Sequence, residues 1–113
     1  NIMAEMSTYE RAIQIYQILI GAAHNRQILT YEILSEMVGV PARGLARHLG
    51  HIMHYCHRTG LPPLTVLVVQ TDSGKPGEGF TTFEDLHRDR ERVFAHDWHR
   101  MKPLTVSDLE NRD

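Results

Sequence analysis

A cysteine, a histidine and an arginine are consecutive at Cys56-His57-Arg58, and a nucleophilic centre would use these residue types. A cysteine attacks as the thiolate, which requires exposure and a lowered pKa. Cys56 instead continues an apolar stripe with helical spacing, formed by Leu45, Leu49, Ile52 and Met53. The pattern favours a buried free cysteine that packs as a small hydrophobic side chain. A small enzyme that uses Cys56 is the alternative, and alkylation of the native thiol distinguishes the two.

Histidines are frequent, and one group recurs every three residues: His48, His51, His54 and His57. At 100° per residue such a series drifts around a helix, so only neighbouring pairs share a face. A stable zinc site needs three or four ligands, and no acid lies between Val40 and Gly60 to supply one. His96-Asp97-Trp98-His99 offers only one histidine pair. We therefore expect no metal and no cofactor, and we expect the histidines of the first group to add positive charge as pH falls.

The chain has 113 residues, a formal net charge of −2 and 42% hydrophobic residues, which predicts one globular domain. We place this domain at residues 1–103, with an acidic tail over 104–113. A single cysteine excludes an internal disulfide and suggests a reducing compartment. No apolar run approaches the length of a membrane span, and no signal-peptide pattern opens the sequence. These features predict a cytoplasmic protein with no membrane partner.

Three helices are predicted before residue 60. Ser7 and Glu10 have the spacing of a capping box, which predicts a helix from Thr8 to Ala23. Thr30 is placed to cap a second helix, Tyr31–Val38, which Gly39 would end. Pro41 suits the first position of a third helix, which Gly60 would end. The third helix carries Arg43, Arg47 and Arg58, and a short helix followed by a basic one is the plan of a helix-turn-helix.

A hairpin is predicted next. The run Leu64–Val69 is apolar and rich in β-branched residues, which is typical of a buried strand. Asp72-Ser73-Gly74-Lys75 supplies a turn, and the return segment would end near Phe80. The predicted fold class is mainly α with a small β-hairpin, an α+β winged helix-turn-helix.

The last third is predicted to add one long helix, from Phe83 to about Arg100, capped by Thr82 and Asp85. Phe94 and Trp98 would close the core. The opposite side alternates in charge, which is typical of a solvated face, although a partner surface or a dimer face is the alternative. The tail from Leu104 to Asp113 is expected to be loosely held.

The order of motifs over residues 8–80 resembles the C-terminal domain of the DNA alkyltransferases and their non-enzymatic alkyltransferase-like relatives. The family opens one helix with Thr-Tyr-Gly, where this chain has Thr30-Tyr31-Glu32. The family then opens its recognition helix with Ala-Arg-Ala-Val-Gly, where this chain has Ala42-Arg43-Gly44-Leu45-Ala46. A proline-containing, β-rich segment and a glycine-rich wing, Gly74–Phe80, follow in the same order.

The resemblance implies a protein without catalytic activity, because the family's Pro-Cys-His-Arg active site falls on Leu67-Val68-Val69-Gln70. Cys56 lies about a dozen residues before that position. The nucleophile of the enzymes and its histidine and arginine neighbours are therefore missing.

The resemblance also implies binding of duplex DNA through the Pro41–Gly60 helix. By position, Tyr31 would contact the DNA backbone and Arg43 would take the place of a flipped-out base. The full set of expected DNA contacts is Thr30, Tyr31, Ala42, Arg43, Arg47 and Lys75. The alternative is a protein-interaction or dimerisation module that reuses the same fold, because a fold does not fix a function.

Overall fold

The structure is a computed structural model and describes residues 5–77 and 85–111. Its first helix, α1 (Thr8–His24), begins with the predicted capping box: Glu10 N donates to Ser7 Oγ at 3.1 Å, and Ser7 N donates to the Glu10 carboxylate at 2.9 Å. The helix ends one residue later than predicted. One face is buried, and it consists of Ala12, Ile15, Tyr16, Leu19, Ala22 and Ala23.

The second helix has the predicted boundaries, whereas the third ends as predicted but begins at Leu45 rather than at Pro41. In α2 (Tyr31–Val38), the Thr30 hydroxyl accepts a hydrogen bond from Ile33 N at 3.1 Å, and Gly39 ends the helix at φ 72°. A 3-10 turn, Ala42–Gly44, then leads into α3 (Leu45–Thr59). Gly60 ends α3 at φ 75°, in the left-handed region that glycine adopts without strain.

The predicted strand Leu64–Val69 is wrong over most of its length. Leu64–Leu67 forms a 3-10 turn, and only β2 (Val68–Val69) is a strand. It pairs in parallel with β1 (Leu29–Thr30), with Leu29 opposite Val68 and Thr30 opposite Val69. A parallel partner requires a crossover, which α2 and α3 supply. The fold class, mainly α with a small β component, is confirmed.

The strand prediction fails because every side chain from Leu64 to Val69 is buried. A run buried on all sides has no alternation of faces, so its composition does not distinguish a strand from a turn packed between helices. The predicted turn near Ser73 is present, since Gln70 N donates to Lys75 O and Gly74 N donates to Gln70 O, both at 2.8 Å. The predicted return segment to Phe80 lies largely outside the described residues.

The C-terminal helix is shorter than predicted. α4 spans Leu86–Ala95, with Asp85 as N-cap, while the predicted start at Phe83 and its cap Thr82 lie outside the described residues. Its predicted continuation to Arg100 is wrong, because the chain is extended at His96 and forms a separate 3-10 turn, Trp98–Arg100. The Trp98 indole donates to Val93 O at 2.8 Å and so takes the carbonyl that a continuing helix would offer to its own backbone.

The segment after Pro103 is packed rather than loosely held, which corrects the predicted tail. A short helix, α5 (Val106–Glu110), begins at a capping box between Thr105 and Asp108. Leu104 and Leu109 are buried, and α5 packs against α1 and α3. Two buried apolar residues, one before a short helix and one within it, can anchor a single helical turn even when the sequence around them is acidic.

The core lies between α1, α3 and the Leu64–Val69 segment, and α4 and α5 cover it. Tyr16 is central: its ring meets the rings of Tyr55 and Trp98 edge-on, each with 6.2 Å between centroids. Trp98 therefore closes the core as predicted, although from the 3-10 turn rather than from a helix. The same core holds the start of α3 at the N-terminal end of α1.

Candidate nucleic-acid interface

The 3-10 turn Ala42–Gly44 and α3 together form the third helical segment. Two arginines lie at its beginning. Arg43 lies in the 3-10 turn and Arg47 in the first turn of α3, and both side chains are exposed. Within residues 5–77 and 85–111, neither forms an ion pair. Because the Val40–Gly60 stretch contains no acid, these guanidinium groups are available to an anion.

Backbone amides add partial positive charge at the start of the third helical segment. The 3-10 turn that starts at Ala42 has no side-chain cap, while Gly44 N and Leu45 N behind it donate to Pro41 O and Ala42 O. Uncapped amides at the start of a helix, together with its dipole, favour an anion such as a phosphate. Ala42 can therefore contribute through its backbone N–H rather than through its methyl group.

Arg58 does not belong to this surface. It lies at the far end of α3, where its Nη2 donates to Asp108 O at 2.8 Å and its guanidinium lies 5.6 Å from the centre of the Tyr55 ring. The hydrogen bond to Asp108 ties α3 to α5. Of the three arginines on the third helical segment, two are exposed and one is structural.

Tyr31, the expected contact to the DNA backbone, is not fully exposed to solvent. Its ring is half-buried against the core, and its hydroxyl accepts a hydrogen bond from the Gly77 amide. Burial raises the pKa of Tyr31, and the Gly77 N–H opposes that rise. A side chain added at Gly77 would collide with the tyrosine hydroxyl, so glycine permits this close approach. Thr30 is similarly occupied, as the cap of α2.

Lys75 is exposed on a loop that other elements hold in place. Arg90 of α4 donates to Gly74 O at 3.1 Å, and the Thr71 hydroxyl donates a short hydrogen bond to the Glu32 carboxylate of α2. Gln70 spans the loop through its amide, which donates to Pro76 O at 3.3 Å. The sequence does not predict the contacts of Arg90 and Thr71, because their partners are distant in the chain.

The expected contact residues thus form two groups. Thr30, Tyr31 and Lys75 lie at or near the start of α2, whereas Ala42, Arg43 and Arg47 follow its end. α2 has 8 residues, so the groups are separated by about 12 Å along its axis.

Cys56 is 1% exposed at the bottom of a groove between α3 and α4. Burial raises the pKa of its thiol to about 11, although a hydrogen bond from the Leu64 amide acts in the opposite direction. A thiol in this state is a poor nucleophile at neutral pH. The prediction of a buried cysteine on the apolar stripe is confirmed.

The histidines of α3 divide by their contacts. His48 Nδ1 lies 3.2 Å from the Thr8 hydroxyl, and the ring of His51 packs on Tyr9 with 4.8 Å between centroids. These contacts fix α3 to the start of α1, while His54 and His57 are exposed. Across the part of the chain that the structure describes, no three histidine, cysteine or acidic side chains are grouped to hold a metal ion.

Comparison of the chain with protein families, with curated proteins and with solved structures found no match. In the described ranges, none of the helices combines the length and apolar character needed to cross a membrane.

Proposed function

We propose that this protein binds duplex DNA through the start of its third helical segment and catalyses no reaction on it, as an alkyltransferase-like winged-helix protein would. The observation that carries the proposal is the pair of exposed arginines without ion pairs, Arg43 and Arg47, on a stretch that contains no acid. They follow a tight turn at Gly39 and stand beside uncapped backbone amides. A buried Cys56 supports the absence of cysteine chemistry. A cytoplasmic setting is part of the same proposal.

The two arginines have different roles in this proposal. Arg47 contacts a phosphate, so it contributes equally on any sequence and adds to the salt dependence of binding. Arg43 stands at the first turn and takes the place of an extruded base. Its contribution is therefore largest where a mismatch or a lesion lowers the cost of unstacking.

The proposal is tested by fluorescence anisotropy on matched and mismatched short duplexes over a series of salt concentrations. Arg47→Ala should weaken binding on both duplexes and reduce the slope of log K against log salt by about 0.9. Arg43→Ala should weaken binding more on the mismatched duplex than on the matched one.

Arg100→Ala is the matched control, since it removes the same charge from an exposed position. Arg100 belongs to the 3-10 turn that meets the C-terminal end of α1 through His99 and His24, whereas His48 of α3 meets the other end at Thr8. The length of α1, 17 residues, therefore separates Arg100 from the start of α3 by about 25 Å. If the wild type does not bind even at low salt, or if Arg100→Ala reduces binding as much as Arg47→Ala, the proposal fails.

A further inference from the structure

The outward face of α2 carries four exposed side chains: Glu32, Ile33, Glu36 and Met37. The opposite face, which includes Leu34 and Val38, is buried in the core. Positions three and four apart on a helix are neighbours, so the four exposed side chains form one continuous patch. We call these four residues the α2 patch.

The apolar part of the α2 patch is unusual for this molecule. Ile33 is 47% exposed and Met37 is 54% exposed, and they stand four residues apart. Isolated exposed apolar residues are ordinary on a protein surface, but an adjacent pair offers an area that a partner can cover. Met37 also has the flexible side chain that adapts to different partners.

The charged side chains of α2 itself are acidic, whereas Arg11 reaches the C-terminal end of the helix at Val38 O. α2 carries two glutamates and no basic residue. At its N-terminal end, Glu32 and Asp72 line a pocket of about 390 Å³ together with Tyr31, Gln70 and Thr71. The hydrogen bond from Thr71 lowers the pKa of Glu32, so this carboxylate is ionised at neutral pH. The pocket has the size and charge to receive a lysine or arginine side chain.

We propose that the α2 patch and the adjacent Glu32–Asp72 pocket form a docking surface for a protein segment that carries an apolar pair next to a lysine or arginine. The apolar pair covers Ile33 and Met37, and the basic side chain enters the pocket. Charge complementarity selects this occupant, because the phosphates of a nucleic acid would be repelled by the same glutamates. The inference does not depend on DNA binding, which uses a different element.

Selection from a phage-displayed peptide library on the immobilised protein tests this directly. The protein should enrich peptides with an apolar pair beside a lysine or arginine. Ile33→Ser/Met37→Ser should bind the selected peptides at least tenfold more weakly. Glu32→Gln/Asp72→Asn should also weaken binding and should remove most of its salt dependence. All four positions are exposed, so thermal unfolding should show that each variant remains folded.

Two control variants match these changes. Met6→Ser removes another exposed apolar side chain, and Glu110→Gln removes another exposed acid, from elsewhere on the molecule. Neither should change peptide binding. Failure to enrich any peptide, or equal binding to Ile33→Ser/Met37→Ser, would overturn the proposal. Self-association that this double variant abolishes in sedimentation velocity would overturn it too, because the occupant would then be a second copy of the chain.

Discussion

Burial decides the chemistry of two side chains that the sequence marks as reactive. Cys56 lies on the buried face of α3 with its thiol beside the Leu64 amide, and its pKa is raised to about 11 because the thiolate would be poorly solvated. His48 is half-buried at the start of α1, and burial lowers its pKa, although a hydrogen bond with Thr8 O acts in the opposite direction. Arg11 and Arg47 lower the pKa of His48 further. Both side chains are held neutral near pH 7.

Alkylation of Cys56 by iodoacetamide at pH 8 should be slow in the native protein. The rise of its pKa from 9.0 to about 11 alone lowers the thiolate fraction about a hundredfold, and burial lowers access further. Mass spectrometry of native samples and of samples in urea measures the difference. Equal rates in the two conditions would contradict the burial of Cys56 and reopen the enzymatic alternative.

Lowering the pH should destabilise the fold through His48. The pKa of His48 is lower in the folded state than the ordinary value of 6.5, so the unfolded chain binds the proton first. The resulting loss of stability begins as pH falls through 6.5 and continues down to the folded-state pKa. Urea unfolding at several pH values should show a weaker pH dependence for His48→Asn than for the wild type.

His87→Asn provides the control for this measurement, since His87 is exposed on α4. It should change the free energy of unfolding by no more than about 0.5 kcal/mol, as expected for a substitution at an exposed site. An unchanged pH dependence in His48→Asn would show that His48 does not contribute to acid sensitivity.

At the scale of elements, capping residues and glycines determine most helix ends. Tertiary contacts determine where α4 ends and why α5 forms. Ser7, Thr30, Gly39 and Gly60 all end or begin helices where the sequence predicts, because caps act through the nearest backbone groups. α4 stops early because the Trp98 indole takes the Val93 carbonyl. α5 forms because the core supplies a surface for its single turn.

The packing of α5 gives a direct stability prediction. Leu109→Ala should lower the free energy of unfolding by about 2–4 kcal/mol, because the leucine is 4% exposed and its removal leaves a cavity. Glu110→Ala, on the exposed side of the same helix, should change it by less than about 0.5 kcal/mol. Urea unfolding measures both. A loosely held tail would instead give equal, small effects.

At the scale of the whole molecule, the proposed DNA interface and the proposed docking surface occupy neighbouring elements with opposite charge. The start of the third helical segment is basic, whereas α2 is acidic. The overall charge of −2 therefore describes neither surface. This arrangement separates the two partners, since each surface repels the ligand of the other.

Substitutions in the α2 patch should therefore leave DNA binding unchanged. Ile33→Ser/Met37→Ser should leave duplex affinity within about twofold of the wild type, because the change alters no charge and removes neither arginine that the duplex is proposed to contact. Anisotropy with the same duplexes measures this, and thermal unfolding verifies the fold of the variant. A large loss of DNA affinity in a folded variant would assign Ile33 and Met37 to the DNA interface.

The sequence by itself determined the helices before residue 60, the burial of Cys56 and the exposed arginines of the third helical segment. Each of these follows from short-range chemistry: caps, glycine conformations and the 3.6-residue period. For the same reason, Arg43 and Arg47 were identified from the acid-free stretch around them, and the structure leaves both exposed.

Only the tertiary structure decided the rest. The strand partner of Val68–Val69 is Leu29–Thr30, distant in the chain, and no local pattern specifies that pairing. The same is true of Tyr31, whose hydroxyl is held by Gly77, and of Arg58, which bonds to Asp108. The α2 patch is visible only once Leu34 and Val38 are buried and the opposite side is left uncovered. Contacts between distant residues depend on how the whole chain fills its core, and that choice is made by packing.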